Sequence, residues 1–239
     1  MFIRPTRPTI EANVHKIEYE DLNQWIVPTK PEWFQDLLKK RRGFKPTFST
    51  PSILDVASCP SFVTLFRNSY TLITISDMLI RPSDEYDTGF ETLLYNDIIT
   101  TTAHRIPQQM SQSFDSNLFN CKIETGVKLR SNGNMNIIFL PCEYEIDPFP
   151  LKAMTGIIPL PKNKFTDLQV NMWVDKRTFK EECFVPKGTP YAYLFFPEGR
   201  PKIKVNVHGT VEAWNNLCST RMLGANYGWM QRVKGLRNK

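Results

Sequence analysis

The stretch from residue 151 to residue 197 constrains the fold more than any other part of the chain. Its apolar segments are short, and they are separated by a loop that carries Gly156 and by the tight element VPKGTP at residues 185–190. Its last segment, residues 191–196, is the most continuously apolar in the protein. Short apolar runs that are bounded by Gly and Pro are typical of buried strands rather than helices. The stretch therefore predicts a β core.

The remaining patterns extend this core to a mainly β fold, a barrel or sandwich, with short helices near the N- and C-termini. Strands are predicted at residues 70–80, 93–102 and 202–207, where β-branched or alternating apolar residues recur. Residues 122–130 and 135–141 flank Asn132 and Gly133, and an Asn-Gly pair between two such runs predicts a β-hairpin.

Short helices are indicated at three places. The first has capping-box spacing at Thr29 and Glu32, with an apolar face formed by residues 33, 34, 37 and 38. A second begins at Cys59-Pro60-Ser61-Phe62, and a third follows Thr210 and ends at Gly224.

These elements divide the chain into three parts. Residues 1–48 are predicted to form an N-terminal arm, extended over residues 1–28, and the first short helix. Residues 49–208 are predicted to form the β-rich core domain. Residues 209–239 are predicted to form a C-terminal helix and a basic tail.

The formal charge of +6 is concentrated in two clusters that are candidate contacts for phosphates or an acidic partner. The first cluster ends the first helix, where cations also offset the helix dipole, and this structural explanation lowers its value as a nucleic-acid signal. The second lies in the last 19 residues, which contain no carboxylate side chain. The candidate basic contacts are Lys39, Lys40, Arg41, Arg42, Arg232, Lys234 and Arg237.

Cysteine usage and hydropathy indicate a soluble protein that is made inside a cell. The five cysteines are spread singly, which suits reduced thiols, and Cys121, Cys142 and Cys183 lie in apolar, strand-like contexts. No apolar run approaches 18 residues, and no secretory leader follows Met1. No membrane partner is expected.

The sequence contains no recognisable catalytic motif. Gly-rich phosphate loops are absent from the sequence, and the spacing of the three histidines predicts no metal site. No cofactor is expected. A long polar loop predicted at residues 104–120 carries His104 and Gln108, which with Asn171 are the candidate residues of a pocket. The sequence favours a protein that is not an enzyme.

Part of the core stretch resembles the dUTPase-like, or β-clip, fold. The residues that carry the resemblance are Thr155-Gly156-Ile157-Ile158, then Leu168-Gln169-Val170-Asn171-Met172, then residues 184–194 around the Gly188 turn. In that family an aspartate in the glycine-led strand recognises the deoxyribose and orients the attacking water. Pro159 stands at the corresponding position, and the family's Gly-rich C-terminal arm has no counterpart at residues 226–239. The resemblance thus implies the fold without the hydrolase activity.

A second resemblance spans roughly residues 30–215. Pro31-Glu32-Trp33-Phe34, Cys59-Pro60-Ser61-Phe62 with Tyr70, His104 with Gln108, and Gly188-Thr189-Pro190 occur in this order. This order resembles an uncharacterised protein family of tailed phages, especially marine myoviruses. The resemblance implies a viral origin, with the cytoplasm of an infected bacterial host or the virion as the location, and supplies no catalytic residues.

Three hypotheses about function follow. The first is a non-enzymatic phage protein that acts as a structural, assembly or protein-interaction module and that self-assembles, for example as a trimer, or binds a protein partner. The second is a nucleotide-binding or nucleotide-hydrolysing enzyme on a dUTPase-like scaffold, with His104, Gln108 and Asn171 around its pocket. The third is a nucleic-acid-binding protein that uses the basic termini.

Overall fold

The computed structural model confirms a mainly β fold. It describes residues 9–15, 26–42, 59–75, 77–82, 90–94, 100–104, 118–145, 150–175, 177 and 180–208. The C-terminal helix and basic tail that were predicted at residues 209–239 lie outside the described residues. The domain boundaries at residues 48 and 208 stay predictions.

Within the described ranges the chain forms two α-helices and fourteen strands, which are arranged in three sheets. The helices are α1 (Glu32–Arg42) and α2 (Pro60–Arg67). The strands are β1 (Thr9–His15), β2 (Ile26–Pro28), β3 (Ser69–Ile73), β4 (Met78–Pro82), β5 (Phe90–Leu94), β6 (Thr100–His104), β7 (Leu118–Ser131), β8 (Met135–Leu140), β9 (Lys152–Ala153), β10 (Gly156–Leu160), β11 (Phe165–Asp175), β12 (Cys183–Val185), β13 (Pro190–Phe195) and β14 (Lys202–His208).

The first sheet has the order β14-β1-β7-β11-β9, and β6 also pairs with β7. Strand β1 is parallel to β14 and antiparallel to β7. Strand β1 therefore lies inside the sheet. The prediction of an extended arm at residues 1–28 did not include such a strand. The period-two pattern explains this position, because Ile10 and Ala12 are fully buried and alternate with the polar residues Glu11 and Asn13.

The second sheet has the order β10-β8-β13-β3-β2, and the third has the order β12-β4-β5. The main core contains residues from all three sheets. Fully buried members include Ile10 and Met172 of the first sheet, Ile137 and Leu72 of the second, and Ile80 of the third.

The predicted Asn-Gly hairpin is wrong, because the two strands that it joins lie in different sheets: β7 in the first and β8 in the second. Other segments of the chain hold the turn in place. The Asn132 side-chain oxygen accepts a hydrogen bond from the Thr9 backbone N–H at 2.9 Å, and that of Asn134 accepts one from the Lys162 N–H at 2.8 Å. The turn is thus a corner between two sheets.

The single strand that was predicted at residues 70–80 is also wrong. It is divided into β3 and β4, which lie in different sheets, and its antiparallel partner is divided in the same way into β13 and β12. The two breaks, at residues 74, 75 and 77 and at residues 186–189, face each other. The chain therefore contains one bent two-stranded ribbon that passes from the second sheet into the third.

Hydrogen bonds between the two breaks hold the bend. The Thr74 N–H donates to the Thr189 carbonyl at 2.9 Å, and the Gly188 N–H donates to the Thr74 carbonyl at 2.8 Å. The Thr74 hydroxyl donates to the Pro186 carbonyl at 2.8 Å, and the Asp77 carboxylate accepts from the Lys187 N–H at 2.7 Å. Gly188 has φ +92°, a backbone conformation that residues with a Cβ rarely adopt.

Two further predicted segments differ from the structure. The strand predicted at residues 93–102 is replaced by β5 and β6, which belong to different sheets. The loop predicted at residues 104–120 is strand at both ends, because His104 ends β6 and residues 118–120 begin β7. Residues 105–117 lie outside the described part of the chain.

The first two predicted helices are confirmed, but the predicted capping box is wrong. Helix α1 begins at Glu32, and the Pro31 carbonyl accepts its first hydrogen bonds. The Thr29 hydroxyl is used elsewhere, since it accepts a hydrogen bond from the Thr71 hydroxyl of β3 at 2.9 Å. The bond to Thr71 competes with the cap for the Thr29 side chain.

Both helices pack through aromatic rings against the face of the second sheet that points away from the main core. Phe34 of α1 and Phe66 of α2 meet at 4.7 Å between ring centroids, and Phe66 contacts Tyr193 of β13 at 6.4 Å. These buried side chains form a second apolar cluster with Cys142. Neither described helix is long and apolar enough to span a membrane.

We expect Gly188→Ala to destabilise the protein by about 1–2 kcal/mol, because an alanine Cβ disfavours the left-handed backbone. Gly156→Ala is the matched control. An added Cβ meets no atom within 4 Å at either position, and only Gly188 of the two has a positive φ. Urea denaturation of the two variants measures the difference in unfolding free energy. Equal unfolding free energies would show that the Gly188 conformation does not contribute to the bend.

Candidate functional site

The candidate pocket residues lie in part on one sheet. Strands β6 and β11 pair with opposite sides of β7, so that His104 stands at the position of Asn120, and Asn171 at that of Lys122. Positions 104 and 171 therefore lie on the same face of the sheet. Strand β7 lies between them, and they are offset by two residues along it. Asn171 is exposed, and its backbone carbonyl accepts a hydrogen bond from the Met154 N–H at 2.8 Å. Gln108 lies outside the described residues.

The candidate basic contacts are described only at α1. Lys39 and Lys40 are exposed near the end of this helix, and the Lys39 ammonium group lies 2.9 Å from the Asp36 carboxylate. Arg41 and Arg42 are its last residues. Arg232, Lys234 and Arg237 fall outside the described part of the chain. The first cluster lies at the end of an amphipathic helix, where cations offset the helix dipole. This position fits the structural explanation for the cluster.

Two of the three histidines are closer in space than their sequence spacing indicates, because the β1–β14 register places His15 beside His208. In the described residues, no group of three or more His, Cys, Asp or Glu side chains could hold a metal ion. Of the cysteines predicted to be buried, Cys142 is buried and Cys183 half-buried, while the side chain of Cys121 lies outside the description.

A buried polar group lies where the helices meet the second sheet. The Tyr193 hydroxyl donates a hydrogen bond to the Glu145 carboxylate at 2.9 Å. Burial raises the pKa of the Glu145 carboxyl, and the hydrogen bond from Tyr193 opposes this rise. Burial also raises the pKa of the Cys142 thiol and that of the Tyr193 phenol far above their ordinary values. Both groups therefore stay neutral at physiological pH.

This polar group anchors the segment that follows β8. The Trp33 indole N–H donates to the Tyr144 carbonyl at 2.7 Å, and the Tyr144 ring packs against Phe62 at 5.0 Å between centroids. The segment thus joins α1 and α2 to β13. Its titratable side chains hold the helices on the sheet, and this structural role accounts for their burial.

A cavity of about 460 Å³ opens beside this segment, between Pro141 and Cys142 on one side and Leu151 and Lys152 on the other. A neighbouring cleft of about 520 Å³ is lined by Leu151, Asp175 and residues 180–183. Asp175 in that cleft is held by Arg177, whose guanidinium and backbone N–H donate to its carboxylate, and these bonds lower the pKa of the carboxyl. The cleft runs beside the N-terminal end of β12.

The outer strands of the sheets carry the exposed apolar side chains. Among the described residues, four large hydrophobic side chains are exposed, and three of them stand on strands that end a sheet. These are Ile157 of β10, Phe184 of β12 and Val207 of β14, which are 65%, 56% and 51% exposed. An unpaired strand edge offers free backbone hydrogen-bonding groups, so an apolar side chain there favours pairing with another chain.

Two of the three edges carry residues that oppose such pairing. Strand β10 contains Pro159, an exposed residue with no N–H to donate to a further strand. Strand β14 carries exposed Lys202 and Lys204, charges that are typical of protected edges. Strand β12 has neither device within its three residues, and Phe184 points outward between the inward-facing Cys183 and Val185.

Sequence reasoning missed Phe184, because it lies in a stretch interpreted as buried core. Alternation was the available signal. Cys183 and Val185 pair with the buried residues Ile80 and Met78, so Phe184 has to face the other side of the sheet. Phe184 is flanked by exposed charged residues on the same short surface: Glu181, Glu182 and Lys187.

Comparison of the chain with protein-family models and with curated proteins finds no match.

We expect Glu145→Gln to raise the melting temperature at pH 7–8 and to leave it unchanged near pH 4. A folded-state pKa that is raised contributes stability below the unfolded-state pKa, and this stability is lost as the pH rises through the folded-state value. The amide oxygen still accepts from Tyr193 but never ionises. Thermal melts across this pH range test the prediction, with Glu143→Gln as the exposed control. Parallel pH profiles for the wild type and Glu145→Gln would contradict it.

Proposed function

We propose that this chain is a non-enzymatic interaction module, a structural or assembly protein of a phage, and that it binds protein through its sheet edges. The observation that carries the proposal is the exposed position of Phe184 on the outer strand β12, which contains no proline or charged residue; Ile157 and Val207 are exposed on the outer strands of the other two sheets. Exposed apolar groups on strand edges mark protein-interaction surfaces, because a further strand can satisfy the edge while it buries the side chains.

The use of the polar groups supports the same function. Glu145 and Tyr193 bond to each other under the helices, and Lys128 pairs with Asp167 at 2.6 Å on the first sheet. Asn13 donates to the Lys128 carbonyl and accepts from Asn206. These hydrogen bonds and ion pairs join strands and helices, so each has a role in holding the fold. The exposed apolar side chains have no such role.

We expect the wild-type protein to form a discrete assembly in sedimentation velocity experiments and the variant Ile157→Asp/Phe184→Asp/Val207→Asp to sediment as a monomer. Carboxylates at these positions stay hydrated and disfavour burial in an interface. The charge-matched control is Asn136→Asp/Thr155→Asp/Thr64→Asp, which changes three exposed polar residues. Circular dichroism confirms that each variant is folded.

A wild-type protein that stays monomeric at every concentration would contradict the assembly role. So would an edge variant that assembles as well as the control does.

A nucleotide-binding function is the second candidate, and the shared face of positions 104 and 171 favours it. If a nucleotide binds there, at a hundred times its Kd it stabilises the fold by about 2.7 kcal/mol. We expect a thermal shift that is lost in Asn171→Ala and kept in Asn136→Ala, another exposed strand asparagine. The absence of a shift with every nucleoside mono-, di- and triphosphate would exclude this candidate.

A further inference from the structure

Strand β12 is the least protected of the three apolar edges described above. In the described residues it pairs with β4 alone, and no described strand lies along its other edge. Phe184 projects from the face of the third sheet that points away from the core, and it stands beside Leu79 of β4 in the register. A strand added to this edge would pair with free backbone groups and cover Phe184.

The sequence around Phe184 is complementary to itself when it is read in the opposite direction. If two copies pair antiparallel with Phe184 opposite Phe184, the residues that precede β12 in each copy lie beside the residues that follow β12 in the other. Each acidic Glu181 then lies near a basic Lys187 of the other copy, and the two-fold axis repeats this contact. All three charged residues of the segment, Glu181, Glu182 and Lys187, are exposed. No ion pair within the described residues involves them.

We propose that the occupant of this edge is a second copy of the chain, which pairs β12 with β12 antiparallel about a two-fold axis through Phe184. The two three-stranded sheets would then form one continuous six-stranded sheet. A two-fold interface requires a surface that is complementary to itself, and the order acidic, apolar, basic along residues 181–187 meets this requirement. The inference rests on the proposed function and names the partner for one edge.

A cysteine at the two-fold axis tests the contact directly. Cross-strand residues that stand opposite each other have Cβ atoms about 4.5–5.5 Å apart, close to the range of a disulfide. We expect Phe184→Cys, in a Cys59→Ser/Cys183→Ala background, to form a covalent dimer on mild oxidation. Peptide mass spectrometry should find position 184 linked to position 184. Ile157→Cys in the same background is the matched control at the edge that Pro159 protects, and it should stay uncrosslinked.

A charge exchange tests whether the partner is another copy. Glu181→Lys alone or Lys187→Glu alone should weaken dimerisation by roughly tenfold, because each change places like charges near each other twice. The double variant Glu181→Lys/Lys187→Glu restores both contacts in a symmetric dimer, and its dimer Kd should return close to the wild-type value. A different protein partner would not be rescued by the exchange.

The outcomes separate this inference from the proposed function. A wild-type assembly that gives no disulfide at position 184, or a double variant that is weaker than both single variants, would overturn the β12 contact and leave the assembly function standing. A wild-type chain that is monomeric throughout would overturn both. The linked peptide together with rescue by the double variant would establish the second copy as the occupant.

Discussion

The bend of the β3–β4 and β12–β13 ribbon is the constraint on which the rest of the structure depends. Thr74 contributes its N–H, its carbonyl and its hydroxyl to bonds with residues 186–189, so all of its polar groups are satisfied although the side chain is buried. These hydrogen bonds stabilise the point at which the ribbon leaves the second sheet. The third sheet, and with it the outward position of Phe184, follows from the bend.

The second sheet receives the core on one face and two helices on the other. Tyr193 is central to this arrangement, because its ring packs under α2 while its hydroxyl bonds to Glu145. A phenol buried in this way needs a partner, and the carboxyl supplies one while it is partly shielded from water. The titratable side chains of Glu145 and Tyr193 therefore hold layers of the fold together, and the proposed interaction surface lies elsewhere, on the exposed edges.

Pro159 has a structural role that the resemblance to the dUTPase-like fold does not indicate. The resemblance to the dUTPase-like fold drew attention to it as the place of a missing aspartate. In the structure it is an exposed residue of an outer strand that pairs with Asn136 of β8. A proline there removes a donor from the open edge, which opposes further strand addition at β10. Its physical role is clear without reference to the hydrolases.

The sequence by itself determined the mainly β class, the two described helices and strands such as β14, because period-two and helical patterns record which side of each element is buried. It also supplied His104 and Asn171 as candidates. The tertiary structure alone decided which sheet each strand joins and which edge stays open. The Asn-Gly corner and the break at Thr74 depend on hydrogen bonds to residues more than 100 positions away. No local pattern records such bonds. Alternation with Cys183 and Val185 could indicate that Phe184 faces outward, but only the folded chain shows that its strand ends a sheet among the described residues.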